Sequence, residues 1–126
     1  MTKIFVCGIS PTPRNAKVLK TSLDAEKYVP WEYHAQVWRL LKKLRADGLW
    51  LIALEQTKKS QNIFKYKPPR NRKIALIVGN EVRGLNKKIL SLADKIVEIP
   101  MYGKKESLNV AVATGIALYK IVESRK

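Results

Sequence analysis

Apolar and polar positions along this chain form a small number of distinct patterns. Residues 3–8, KIFVCG, predict a short strand closed by glycine. Residues 49–54 and 73–79 are apolar almost throughout, as expected of strands buried on both faces of a sheet. Residues 95–99, KIVEI, alternate and predict a further strand. Between these lie segments with helical spacing. Over residues 32–47, Ala35, Trp38 and Leu41, with Val37, Leu40 and Leu44, make one apolar stripe. Lys42, Lys43 and Arg45 fall on the opposite side, and Gly48 supplies a C-terminal stop. Residues 85–93 predict a short amphipathic helix and residues 108–123 a closing helix. Residues 9–30 and 57–72 are polar and proline-bearing and read as loops.

Strands alternating with helices predict an α/β fold, a mostly parallel sheet covered by helices on both faces. Such sheets bind ligands beyond the carboxyl ends of their strands. Three chemistry-bearing segments fall at such ends: Glu55-Gln56, Gly79-Asn80-Glu81 and Pro100-Met101-Tyr102-Gly103.

With 126 residues and 46% hydrophobic content, the chain is sized for one folded domain. Its apolar runs fall well short of the roughly 18–20 residues that span a bilayer, and the N-terminus does not read as a signal peptide. Cys7 is the single cysteine, which fits a reducing cytoplasm. One cysteine and one histidine, His34, give no zinc-ligand set, and no metal is expected. The 25 Lys and Arg against 10 Asp and Glu leave a formal charge of +15. That excess points to a polyanionic partner, nucleic acid first and an anionic membrane second. The basic loop KKSQNIFKYKPPRNRK offers Lys58, Lys59, Lys65, Lys67, Arg70 and Arg72 as phosphate contacts, as do Lys42, Lys43 and Arg45 of the predicted helix, with Phe64 and Tyr66 available to stack on bases. A solvated charge run is the plain alternative. Trp31, Trp38 and Trp50 read as core residues.

Two segments carry more specific chemistry. GNEVRG, residues 79–84, follows a buried strand with glycines that permit a tight turn, beside a ligand or simply facing solvent. It is neither a phosphate loop nor a dinucleotide fingerprint. In IPMYGKKESLN, residues 99–109, Pro100 ends ladder pairing and Ser107 suits a helix N-cap. Asn109 falls inside the first turn, where capping does not explain it. The small residues Ala111, Ala113, Thr114, Gly115 and Ala117 leave room for something to pack close to the closing helix.

Residues 76–121, with these two motifs joined by LADKIVEI, resemble motifs two and three of the SpoU (TrmH-like) branch of the SPOUT RNA ribose 2′-O-methyltransferases. Residues 20–34 and ALEQT, residues 53–57, resemble a subgroup of that branch. The resemblance implies an α/β sheet with a C-terminal trefoil knot, S-adenosylmethionine as methyl donor, tRNA or rRNA as substrate, and a homodimer built through the knot and closing helix. It implies cofactor contacts near Leu54, Gly79, Asn80, Gly84, Ile99, Met101 and Leu108. Glu81, Ser107 and Asn109 match the polar positions around the methyl-transfer centre.

The family's first motif, an Asn followed by an Arg, precedes the strand matched here by residues 3–8 and has no counterpart in this sequence. Arg14 and Asn15 lie in the wrong order and place. The domain is therefore expected to be partial at its N-terminus. Either coding sequence continues upstream, or the chain is a shortened homologue that binds RNA or cofactor without turnover. A ribose hydroxyl needs its proton removed or polarised before it attacks, which is the work the missing Arg is given.

Overall fold

The computed structural model describes residues 3–9, 16–22, 32–34, 36–79, 85–101 and 110–124. The strands are β1 (Lys3–Ile9), β2 (Ala16–Ser22), β3 (Glu32–His34), β4 (Trp50–Leu54), β5 (Gln61–Asn62), β6 (Ile74–Val78) and β7 (Lys95–Glu98). The helices are α1 (Val37–Ala46), α2 (Lys87–Leu92) and α3 (Val110–Ser124), and a single 3-10 turn spans Ile63–Lys65. Among the described residues the sheet order is β3-β2-β1-β6-β4-β7-β5. The five strands β1, β6, β4, β7 and β5 are all parallel. β2 and β3 continue the sheet antiparallel beyond β1.

Alternate strand residues feed two apolar clusters, one on each face. Cys7, Ile9, Leu51, Ala53, Ala75 and Ile77 pack with Val37 and Leu41 of α1 and Ile89 of α2. Ile4, Val6, Ile52, Ile74, Leu76 and Val97 pack with Ala117 and Ile121 of α3 and with Ile63. The fully apolar sequence of β6, buried at every position, follows from having a helix layer on each side.

Three sequence expectations are corrected. Residues 9–30 were expected to be irregular, yet residues 16–22 pair along the full length of β1. Val18, Leu19 and Thr21 favour strand, and β1 offers a row of open backbone groups on that side. The helix expected from residue 32 begins at Val37, because Glu32–His34 pair with β2 as β3. The loop expected over residues 57–72 contains β5 and the 3-10 turn, whose Asn62 side chain accepts from the Phe64 N–H (2.9 Å).

The helix ends follow local rules. After α1, Gly48 N–H donates to Arg45 C=O (3.0 Å) and Leu49 N–H to Leu44 C=O (3.0 Å). This paired pattern is the Schellman ending, and Leu44 meets Leu49 in the same apolar cluster. Gly48 has φ +91°, in the left-handed region that glycine tolerates best. At α2, Asn86 accepts from the Ile89 N–H (2.9 Å) as N-cap. Leu85 and Leu90 flank that cap in one cluster, the arrangement of a hydrophobic staple.

Candidate functional site

Parallel register aligns three strand ends. Leu54 lies opposite Val78 of β6 and opposite Val97 of β7. The next residues, Glu55, Gly79 and Glu98, therefore leave the sheet at one edge, with Ile99 and Met101 just beyond. Leu54 and Ile99 contribute to one apolar cluster, while Gly79, Pro100 and Met101 are half-buried. Four of the expected cofactor contacts, Leu54, Gly79, Ile99 and Met101, thus share the carboxyl edge. The other expected residues, Asn80, Glu81, Gly84, Ser107, Leu108 and Asn109, lie outside the described residues.

The same edge contains a carboxylate whose role the residue pattern did not reveal. The Glu55 N–H donates to Val97 C=O (3.0 Å), fixing the residue beside β7. Its Oε2 accepts from the Leu85 N–H (2.8 Å) and its Oε1 from the Gln56 N–H (3.3 Å). Glu55 therefore ties the end of β4 to the chain entering α2. The turn that follows is closed by hydroxyls. Ser60 Oγ donates to Glu55 C=O (2.6 Å) and accepts from the Thr57 N–H (2.7 Å). Lys59 N–H donates to Thr57 Oγ1 (3.1 Å). This turn presents Lys58 and Lys59, both exposed, at the carboxyl edge. The sequence signal for Glu55 was its place directly after a buried strand. Its partner, 30 residues away, is visible only in the fold.

The remaining cations of the basic loop are spread out. Lys65, Lys67 and Arg70 are exposed. Arg72 lies at the opposite, amino edge, where its Nε and Nη2 both donate to Gly48 C=O (3.1 and 2.9 Å). Its guanidinium also stands over the Trp50 ring, 5.2 Å from the centroid. Trp50 Nε1 donates to the Tyr66 hydroxyl (2.7 Å), and Lys95 Nζ stands 5.6 Å from the Tyr66 ring centre. Burial first, and the charge of Asp94 last, push the Tyr66 hydroxyl pKa up, against the lowering effect of the Trp50 bond. Aromatic groups here are flanked by cations and half-buried, so Trp50 is only partly the core residue expected. Trp38 departs further: it is 40% exposed. Its position on α1 borders the Val37 and Leu41 stripe, which already fills the space above the sheet.

Among the described residues no group of three metal-ligating side chains converges, and no helix is long and apolar enough to cross a membrane. Cys7 is buried in the sheet, and desolvation pushes its thiol from 9.0 up to about 12. It therefore stays a protonated thiol and packs as a small apolar residue.

The sequence profile of the SpoU rRNA Methylase family matches residues 1–119. The chain belongs to the SpoU methylase family. Among its relatives is the 23S rRNA (guanosine-2′-O-)-methyltransferase RlmB of Xanthomonas axonopodis pv. citri. The two are 35% identical over 111 residues, covering 88% of this chain and 43% of the relative. The TrmH/SpoU tRNA modifying enzyme of A. aeolicus superposes with a TM-score of 0.61 at 38% identity, over 69% of this chain and 43% of that one. The SpoU methyltransferase AviRb of Streptomyces viridochromogenes, solved with the cofactor AdoMet, gives a TM-score of 0.57 at 31% identity, over 71% of this chain and 35% of its own. The chain thus spans less than half the length of these SpoU relatives.

Proposed function

We propose that this chain is one SPOUT domain, the cofactor-binding portion of an S-adenosylmethionine-dependent ribose 2′-O-methyltransferase acting on tRNA or rRNA. The observation that carries the reading is the alignment of Leu54, Gly79 and Ile99 at one sheet edge by three parallel strands. That edge fits the donor's chemistry. Half-buried Leu54 and buried Ile99 offer apolar surface for an adenine ring. Backbone groups leaving the strands at Gly79 and Met101 offer polar partners for ring nitrogens and ribose hydroxyls. When bound, the donor supplies an electrophilic methyl group on sulfonium.

Asn80, Gly84 and Leu108 complete the cofactor contacts in this proposal, with residues 99–101 and 107–109 matching loops of the family's trefoil knot. Glu81, Ser107 and Asn109 surround the methyl-transfer centre. The Glu55 carboxylate holds the chain at Leu85, directly after Gly84. Lys58 and Lys59 meet RNA phosphates beside the site, with Lys65, Lys67 and Arg70 further along the loop. A homodimer is supported by α3, whose exposed residues Ala111, Val112, Gly115 and Tyr119 make an apolar strip. A reducing cytoplasm is the proposed compartment.

Two measurements test the reading. Titration calorimetry with S-adenosylmethionine should show saturable binding, and absence of heat would sink the cofactor site. Incubation with bulk RNA and the donor, followed by nucleoside mass spectrometry, should show 2′-O-methylated nucleosides when this chain is joined to the family's first motif. Cofactor and RNA binding without methylated product, with that motif joined as well as without it, would instead identify a non-catalytic binding homologue.

A further inference from the structure

The α1–α2 layer carries a charge pattern that its packing does not require. Arg39, Lys42 and Lys43 on α1 and Lys87 and Lys88 on α2 are all exposed. Neither helix contains an acidic residue. Arg39 lies in the first turn of α1, and Lys87 and Lys88 in the first turn of α2. Peptide dipoles disfavour positive charge there, and neighbouring cations on one helix repel. Among the described residues the flanking acids do not balance the patch. Asp47 is exposed beyond the end of α1, and Asp94 is largely buried and engaged with Arg45 and the Leu51 N–H. A face that needed only solubility would mix signs.

The two helices are aligned. Arg45, near the end of α1, bonds Leu92 C=O at the end of α2 and Asp94 just before β7. Both helix ends therefore lie at the amino edge of the sheet, and both first turns point toward the carboxyl edge. The exposed ring of Trp38 stands in the first turn of α1, with Lys42 Nζ 5.9 Å from its centre. The face thus joins five cations to one exposed aromatic, and its leading end shares an edge with Leu54, Gly79 and Ile99.

We propose that the outer face of α1 and α2 is a second RNA-contacting surface, on which Trp38 stacks against an unpaired base and Arg39, Lys42, Lys43, Lys87 and Lys88 neutralise phosphates. The proposal rests on the RNA-methyltransferase reading. RNA is favoured over a lipid surface because a single aromatic ring among five cations offers little to insert into acyl chains, whereas base stacking needs only one ring.

The test uses the full chain with bulk tRNA and a single-stranded oligouridine as probes. The Arg39→Gln/Lys42→Gln/Lys88→Gln variant should bind tRNA about tenfold more weakly at low salt. Its log–log salt slope should shrink by about two, near the value expected for three lost phosphate contacts. Trp38→Ala should lose about tenfold on oligouridine, and Trp38→Phe should retain most of that affinity. Lys43→Gln/Lys87→Gln provides a second charge variant if the first folds poorly. Heats of S-adenosylmethionine binding should be the same for all variants. Unchanged RNA affinity and slope would overturn the proposal, as would wild-type chain that binds the donor but no RNA. Tight binding to phosphatidylserine vesicles, not displaced by tRNA, would overturn it in favour of a membrane. Failure of the wild-type chain to bind S-adenosylmethionine would count against the cofactor site alone.

Discussion

The two helical layers of this molecule solve the same inner problem and present opposite outer surfaces. On one side α1 and α2 bury Val37, Leu41 and Ile89 against the sheet and show solvent five exposed cations and a tryptophan. On the other, α3 buries Ala117 and Ile121 and shows solvent Ala111, Val112, Gly115 and Tyr119, the last 69% exposed. Burial of the inner stripe is what folding demands of either layer. The difference outside is what the two proposals rest on: a polyanion meeting the first layer and a second copy of the chain meeting the other.

The largest effects should be shared by both layers. Leu41→Ala and Ile121→Ala should each cost about 2–5 kcal/mol in denaturant unfolding, the range for a fully buried aliphatic side chain. A cost confined to one of them would mean that the other helix is held by a partner rather than by the sheet. The outer surfaces should separate sharply. Tyr119→Glu should convert a dimer to a monomer by light scattering, while leaving tRNA affinity per chain within about threefold, since one added acid changes few phosphate contacts. If it abolished RNA binding instead, the division of labour between the faces would fail.

Asp94 is specific to the α1–α2 side. Its Oδ2 accepts from the Leu51 N–H (2.8 Å) and its Oδ1 pairs with Arg45 (3.3 Å), with only 11% of the side chain exposed. Asp94→Ala leaves a partly buried donor without its acceptor and should cost about 1.5–3 kcal/mol by urea denaturation. Cys7 lies in the apolar cluster on the same side. Its folded thiol is raised from 9.0 to about 12, so above pH 9 the unfolded chain releases a proton that the folded chain retains. Stability should fall with pH across that window, by up to about 1.4 kcal/mol per unit from this group, and Cys7→Ala should remove that part of the slope. Gly115→Ala gives the smallest effect and a useful sign. An added Cβ meets nothing within 4 Å among the described residues. The helix alone should gain up to about 1 kcal/mol from it. A dimer whose partner backbone lies close to that position should instead dissociate at higher protein concentration.

Much of this organisation could be read from the residues. The apolar runs at 49–54 and 73–79 became β4 and β6, short continuous runs of the kind that a doubly covered strand uses. The strand pattern put Glu55, Gly79 and Pro100 directly after strands, and parallel register gathers those strand ends at one edge. Features set by distant partners were hidden. Lys17, Lys20 and the nearby prolines masked β2, whose partner is β1. Helical spacing could not say that Trp38, at the border of the α1 stripe, would be 40% exposed. Glu55 looked like any polar residue after a strand until the fold brought Leu85 to it.

The two hydrogen bonds from the Arg72 guanidinium to Gly48 C=O, made while the same guanidinium stands over the Trp50 ring, alter how alanine scans of this protein must be read. They close the corner where α1 gives way to β4. Weaker ligand retention in an Arg72→Ala protein would therefore report a loosened scaffold before it reported a lost contact. Melting curves belong beside every affinity measured at that position.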